Sequence, residues 1–293
     1  MKRRTFLVAT ILLAAAACAA QQEILCQGEY PWHPQGCCTD GRSIWWSFTT
    51  VLVKTDMSGS VQMRSRDFRE LCPGVAKHAL PHAGDICVHD GAVYAGMNLG
   101  ERDGVRVGDE VWRFDADTLK VARRYPTPEA VWCNNGLEWC DGYFWVISNA
   151  PRGSKYNYVF QYTEDFRFCR PRILASGWTN LGVQTICFGK GRLWFGGYGG
   201  SAKKALTELG VEEDIACSAP TFSVDPKDLR WPTKPVAAED RPGLVPCSRP
   251  VAEDTSCGMF EWQGKMWRME GVRLSKPNER QRWTGRMVPC RRF

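Results

Sequence analysis

The sequence predicts an all-β fold, a ring of small antiparallel sheets, and three observations carry that prediction. One pattern recurs five times: a short apolar strand, a tight turn built on Asp-Gly or an equivalent, then an aromatic-rich strand. The turns fall at Asp40-Gly41, Asp90-Gly91, Asp141-Gly142, Lys190-Gly191 and Gln263-Gly264, at spacings of 50, 51, 49 and 73 residues. The strands after them include Ile44-Trp45-Trp46-Ser47-Phe48, Tyr143-Phe144-Trp145-Val146-Ile147 and Leu193-Trp194-Phe195-Gly196, chemistry suited to a pleated, packed surface. Helical periodicity is weak throughout and no heptads occur. A period near 50 residues with strand chemistry is the mark of a β-propeller. Five blades of four antiparallel strands are expected. A sixth, degenerate blade hidden in a Pro-rich connector is the alternative count.

The elements follow in chain order. Met1-Lys2-Arg3-Arg4 precedes an apolar run from Phe6 to Ala17 and small residues through Ala20, the layout of a cleaved secretory signal. The run is shorter than the ~20 residues of a membrane span. Residues 1–20 are therefore expected to leave, and residues 21–293 to form one propeller domain without a transmembrane span. The expected location is secreted, periplasmic or at the cell surface. Cys18, at the end of the alanine run, offers a lipid anchor as an alternative.

Blade 1 is expected at Gly36–Cys38, Ser43–Thr49, Leu52–Thr55 and Val61–Arg64. Blade 2 is expected at Asp85–Val88, Ala92–Met97, Glu110–Asp115 and Leu119–Tyr125, and blade 3 at Gly136–Cys140, Tyr143–Ser148, Tyr158–Thr163 and Arg167–Leu174. In blade 4 the third strand returns as Phe222-Ser223-Val224-Asp225, echoing Trp112-Arg113-Phe114-Asp115. The insertion before it, Gly200 to Pro220, carries the best helical stretch, a short one near Ala202–Leu209. A connector from Pro232 to Pro250 leads to blade 5 at Cys257. Residues 23–30 are expected to close the ring as an extra strand of the last blade.

The charge balance excludes one partner class. Removing Lys2, Arg3 and Arg4 takes the formal +6 to about +3, and no Lys/Arg run of five or more occurs, so nucleic acid is not an expected partner. Fourteen cysteines in an exported chain allow disulfides. Cys37, Cys87 and Cys187 share one repeat position and are read as small apolar residues of inner strands. Equivalent positions on separate blades lie too far apart to bridge.

In a propeller the residues before each inner strand and those after each second strand meet around one channel mouth. Here the first set is His33 and Gln35, His82 and Asp85, Asn134 and Asn135, Gln184 and Thr185, and Ser256. The second set is Thr49 and Thr50, Asn98, Asn149, Tyr198 and Glu270. A concave ring of convergent polar groups is the default reading for a binding site. His33 or His82 is the candidate base, with Asp85 or Glu138 as its partner or as the acid. Gln35, Asn98, Asn134, Asn135, Asn149, Gln184, Tyr198 and Glu270 are candidates to hold a polar substrate, joined by Arg152 on the loop leaving blade 3. The structural alternative is that these groups only bind strand ends and ordered water. A divalent cation such as calcium in the central channel is a further expectation, with no ligand set assigned. Trp32 and Trp178, outside the strand cores, are candidate stacking platforms.

The repeat resembles the general β-propeller pattern across residues 33–290. Three secreted propeller families are similar in kind. Furanosidase-type glycoside hydrolases use a carboxylate pair, and their Asn-Asp-Pro-Asn motif is absent here. Calcium-activated nucleotidases surround a central ion, and no matching acidic series occurs. Polysaccharide lyases use His, Tyr and Arg at the mouth, residue types that His33, His82, Tyr198 and Arg152 supply. The resemblance implies an exported enzyme cleaving a carbohydrate or related polar substrate, by hydrolysis or elimination. A non-catalytic propeller that binds a glycan or a protein is the reading from another class.

Overall fold

A computed structural model describes residues 23–72, 81–102, 105–106, 108–151, 153–198, 220–230 and 244–293. Two short N-terminal strands, β1 (Ile24–Leu25) and β2 (Tyr30–Pro31), precede the blades. Blade 1 contains β3 (Pro34–Thr39), β4 (Ser43–Phe48), β5 (Val51–Asp56) and β6 (Val61–Arg64), paired in that order. Helix α1 (Phe68–Leu71) follows it. Blade 2 pairs β7 (His82–His89), β8 (Ala92–Asn98), β11 (Glu110–Asp115) and β12 (Val121–Pro126). A separate hairpin, β9 (Glu101–Arg102) with β10 (Val105–Arg106), stands between its second and third strands.

Blade 3 contains β13 (Asn134–Cys140), β14 (Tyr143–Ser148), β15 (Asn157–Tyr162) and β16 (Phe168–Ala175). Blade 4 starts with β17 (Val183–Gly189), β18 (Arg192–Gly197) and β19 (Pro220–Val224), after which comes helix α2 (Pro226–Leu229). The end of the connector forms β20 (Leu244–Pro246), which joins the edge of blade 3 in parallel, and β21 (Val251–Ala252), the fourth strand of blade 4. Its described part thus adds a fifth strand to blade 3, completes blade 4 and adds no sixth blade. Blade 5 contains β22 (Met259–Trp262), β23 (Lys265–Arg273) and β24 (Arg282–Pro289). There β1 and β2 pair with β24, with Ile24 opposite Met287 and Tyr30 opposite Trp283. The ring closes as the sequence predicts, and this seam ties the two ends of the described chain.

The turns explain the register. At Asp90-Gly91, Asp141-Gly142, Lys190-Gly191 and Gln263-Gly264 both residues have positive φ, between 45° and 81°. That is the two-residue hairpin turn whose twist matches the strands. Blade 1 departs from the pattern with a three-residue loop. There Asp40 Oδ1 accepts the N–H groups of Arg42 and Ser43, both at 2.8 Å.

Apolar side chains fill the seams between neighbouring blades. Trp45 and Leu52 of blade 1 pack with Ile86 and Trp112 of blade 2, and Trp145 of blade 3 packs with Ile186 and Phe195 of blade 4. Each such residue stabilises the ring by roughly 1.5–3 kcal/mol through burial. Two of the seam indoles have their N–H groups satisfied as well: Trp45 donates to Ala116 O at 3.2 Å, and Trp46 to Thr55 Oγ1 at 2.9 Å.

The twelve described cysteines are all free thiols. Cys37, Cys87 and Cys187 are buried and unbridged, and the disulfides that an exported chain would allow do not occur among the described residues. Their thiols fill seams as small apolar groups. The expected helix at 202–209, the leader and Cys18 lie outside the described residues. No described helix is long and apolar enough to cross a membrane.

Candidate functional site

The inner strands converge on an axis that carries two carboxyl groups. Asp85 is fully buried and sits in β7, where the pairing register with β8 shifts between Ala83 and Ile86. Its Oδ2 accepts the Ile186 N–H of blade 4 at 2.8 Å, and its Oδ1 accepts the Cys37 N–H of blade 1 at 3.3 Å. Glycine at 36 and 136 makes room for it, because a Cβ at either position would come within 2.4 Å of Asp85 atoms. Burial pushes the Asp85 carboxyl well above its ordinary pKa, outweighing those amide bonds.

Glu138 lies toward the turn end of the same axis. Its Oε1 accepts the Trp139 N–H at 2.8 Å and its Oε2 the Phe188 N–H at 3.0 Å. Part of the residue reaches solvent, but protein surrounds the carboxyl and burial raises its pKa from 4.5 to about 7. Burial, together with these two carboxyls, also pushes the Cys87 and Cys187 thiols well up, which leaves them poor nucleophiles. On this axis the oxygens of both carboxyls are occupied by backbone N–H donors. Among the described residues no group of three or more His, Cys, Asp or Glu side chains is arranged to hold a metal. The channel cation expected from the sequence finds no ligand set there.

The mouth is built differently. A chain of side-chain hydrogen bonds runs across blades 2, 3 and 4. Asn98 Nδ2 donates to Cys133 Sγ at 3.4 Å, and Cys133 Sγ to Asn135 Oδ1 at 2.7 Å. Asn135 Nδ2 donates to Asn149 Oδ1 at 2.5 Å and to Val183 O at 2.7 Å. Gln184 Nε2 reaches the same Asn149 Oδ1 at 2.8 Å. Asn98, Asn149 and Gln184 are half-buried, so they keep a face toward the mouth. Four of the predicted amides are therefore joined in one network. Cys133, which bridges two of them, was not singled out by sequence reasoning; its place directly before Asn134-Asn135 was the available signal.

Other expected residues have different surroundings. Asn134 is buried and staples blades 2 and 3, donating to Glu110 O and Thr127 Oγ1, both at 3.1 Å. Glu270 is held by Arg268 at 2.7 Å and Arg286 at 2.6 Å. Burial alone would raise its pKa, but the two guanidinium groups outweigh it and hold the carboxyl below its usual range. Tyr198 is exposed just after β18, and Arg152 lies outside the described residues.

His33 is exposed at the mouth, with its ring edge-on to Trp283 at 6.2 Å. Gln35 Nε2 lies 2.9 Å from His33 Nε2. An amide N–H₂ can only donate, so Nε2 accepts and the neutral ring carries its proton on Nδ1. Partial desolvation lowers the His33 pKa, favouring that neutral form. His82 is half-buried at the start of β7, opposite Asn98 in register. Directly before His33, Trp32 has φ of 69°, a left-handed backbone that a bulky residue seldom adopts.

A cavity of about 440 Å³ opens at the other end of the ring, beside Trp139, Phe188 and the Asp141–Arg230 ion pair. None of its described lining residues belongs to the mouth.

No protein-family profile and no curated protein sequence matches the chain. Solved structures match by shape. The GH43_1 enzyme from Xanthomonas citri complexed with xylotriose superposes with a TM-score of 0.56 at 11% identity, over 94% of this chain and 92% of that one. The RS223 β-xylosidase gives 0.54 at 11% identity, over 89% and 92%. The Bacteroides ovatus GH43B of a xyloglucan locus gives 0.54 at 13% identity, over 91% of this chain and 54% of that one. At these identities the likeness establishes the architecture, a five-bladed propeller of the kind that GH43 glycoside hydrolases use.

Proposed function

We propose that this chain acts outside the cytoplasm on a carbohydrate, binding it at the channel mouth and cleaving it by histidine acid–base chemistry. The observation that carries this reading is the amide network from Asn98 to Gln184. Side-chain amides offer both donors and acceptors at fixed positions, which matches the hydroxyl pattern of a sugar. The fold neighbours crystallised with xylose and xylotriose support a saccharide as the ligand. A two-carboxylate mechanism needs both groups at the scissile bond. Asp85 and Glu138 instead give their oxygens to backbone amides along the axis. His33 takes the role of base: Gln35 steadies its ring, and the Nε2 lone pair can pass from Gln35 to a water or a substrate proton. His82, at the equivalent place in blade 2, takes the role of acid.

Assay of glycans for new reducing ends and for unsaturated, ultraviolet-absorbing ends tests this directly, the first marking hydrolysis and the second elimination. His33→Ala and His82→Ala are each expected to lower turnover tenfold or more, within the 10²–10⁴ range typical of general acid–base groups. The enclosure of Asp85 favours a second reading, a glycan-binding propeller without catalysis. In that case glycans bind and neither product forms.

A further inference from the structure

Two tryptophans on the mouth face each carry a cation. Lys155 Nζ lies 4.6 Å from the ring centre of Trp178, in the stretch before β17 where Thr179 N–H donates to Ser154 O at 2.9 Å. The Arg273 guanidinium lies 5.9 Å from the ring centre of Trp283, opposite it in the β23–β24 register. This second ring is the one His33 meets edge-on. Both cations are exposed and both rings half-exposed.

Neither cation is in an ion pair among the described residues. Arg273 directs Nε to Ser275 Oγ and Nη2 to the carbonyls of Lys276 and Pro277, none of them charged, and Nη1 is left for a ligand. Their neighbours are different: Arg268 is matched by Glu253 and Glu270, and Arg286 by Glu270. Among the described residues the mouth thus balances Arg268 and Arg286 and leaves Lys155 and Arg273 open, each beside an aromatic face. An aromatic ring takes the C–H face of a sugar, while a cation held on it keeps donors for an anion.

We propose that the glycan recognised at this mouth is acidic, bearing uronate carboxylates that Lys155 of blade 3 and Arg273 of blade 5 receive. This rests on the reading of the mouth as a glycan site. The test is calorimetric titration of the full chain with an oligouronate, with its carboxyl-reduced neutral counterpart and with a sulfated neutral oligosaccharide, at low and physiological salt. The oligouronate should bind at least tenfold more tightly than its reduced counterpart, and salt should narrow the gap. Lys155→Gln and Arg273→Gln should each weaken uronate binding about fivefold, the upper end for exposed charge pairs. Lys155→Arg should restore most of that loss. Equal binding of the neutral counterpart, or no effect of either glutamine variant, overturns the proposal and leaves the mouth reading standing. Preference for the sulfated glycan overturns the uronate assignment. Absence of binding by all three contradicts the mouth reading itself.

Discussion

Asp85 on blade 2 accepts the backbone N–H of Ile186 on blade 4 at 2.8 Å, across the channel axis. Its other oxygen takes the Cys37 N–H of blade 1, and Gly136 of blade 3 packs against its Cβ. The carboxyl therefore joins three of the five inner strands, and the residue lies against a fourth. Its burial and its two amide bonds place this side chain in the packing of the hub.

Replacing Asp85 by Ala would orphan two buried N–H groups at the hub, each at about 1–3 kcal/mol. We expect a loss of roughly 2–4 kcal/mol, read as a lower urea midpoint at unchanged slope. An unchanged midpoint would show that the ring does not depend on this tie.

Glu138 sets a pH dependence of stability. Its folded pKa is raised to about 7 from 4.5, so between those values the folded state holds a proton that the unfolded state has lost. Stability is then fully present below about pH 4.5 and declines as pH rises toward 7, by on the order of 3 kcal/mol. Asp85, raised in the same direction by burial, adds to the slope. Chemical denaturation from pH 4.5 to 8 should show the decline, and Glu138→Gln, which cannot ionise, should flatten it. A slope unchanged in Glu138→Gln would assign the effect elsewhere.

Trp32 makes a backbone prediction. Its φ of 69° is open to glycine and strained for β-branched side chains. Trp32→Gly should melt within a few degrees of the parent, whereas Trp32→Val should cost about 1–2 kcal/mol more than the glycine variant. Because Trp32 directs the chain into His33, the valine variant should also shift the His33 imidazole titration followed by NMR. Equal melting of the two variants would remove strain as the explanation.

The fold was legible because hairpin turns and inner-strand residues repeat. Asp90-Gly91 and Lys190-Gly191 mark the same turn from their place in the repeat, and Trp112 and Phe222 recur in equivalent third strands. The seam at residues 24–31 was legible because a ring needs a closing strand. The fourth strand of blade 4 was not, since β21 arrives only after the connector, and no local pattern tells a two-residue edge strand from a loop.

At the mouth, position relative to each strand brought out Asn98, Asn135, Asn149 and Gln184. It could not separate them from Asn134, whose side chain turns into a blade seam one residue away. Nor could it place Asp85, because a β-bulge sends its carboxyl along the axis. The charge matching around Glu270 depends on Arg268 and Arg286, which alternate with apolar residues and read in sequence as ordinary exposed strand positions.

The most direct test of the central claim is the binding isotherm of neutral and acidic oligosaccharides with the parent protein and with the Asn149→Ala/Gln184→Ala double variant. Both side chains are half-buried at the mouth, so the variant should melt within about 1 kcal/mol of the parent. The account predicts saturable binding to the parent, weakened at least tenfold in the variant. Equal affinity in both proteins would contradict it, and so would no saturable binding by the parent.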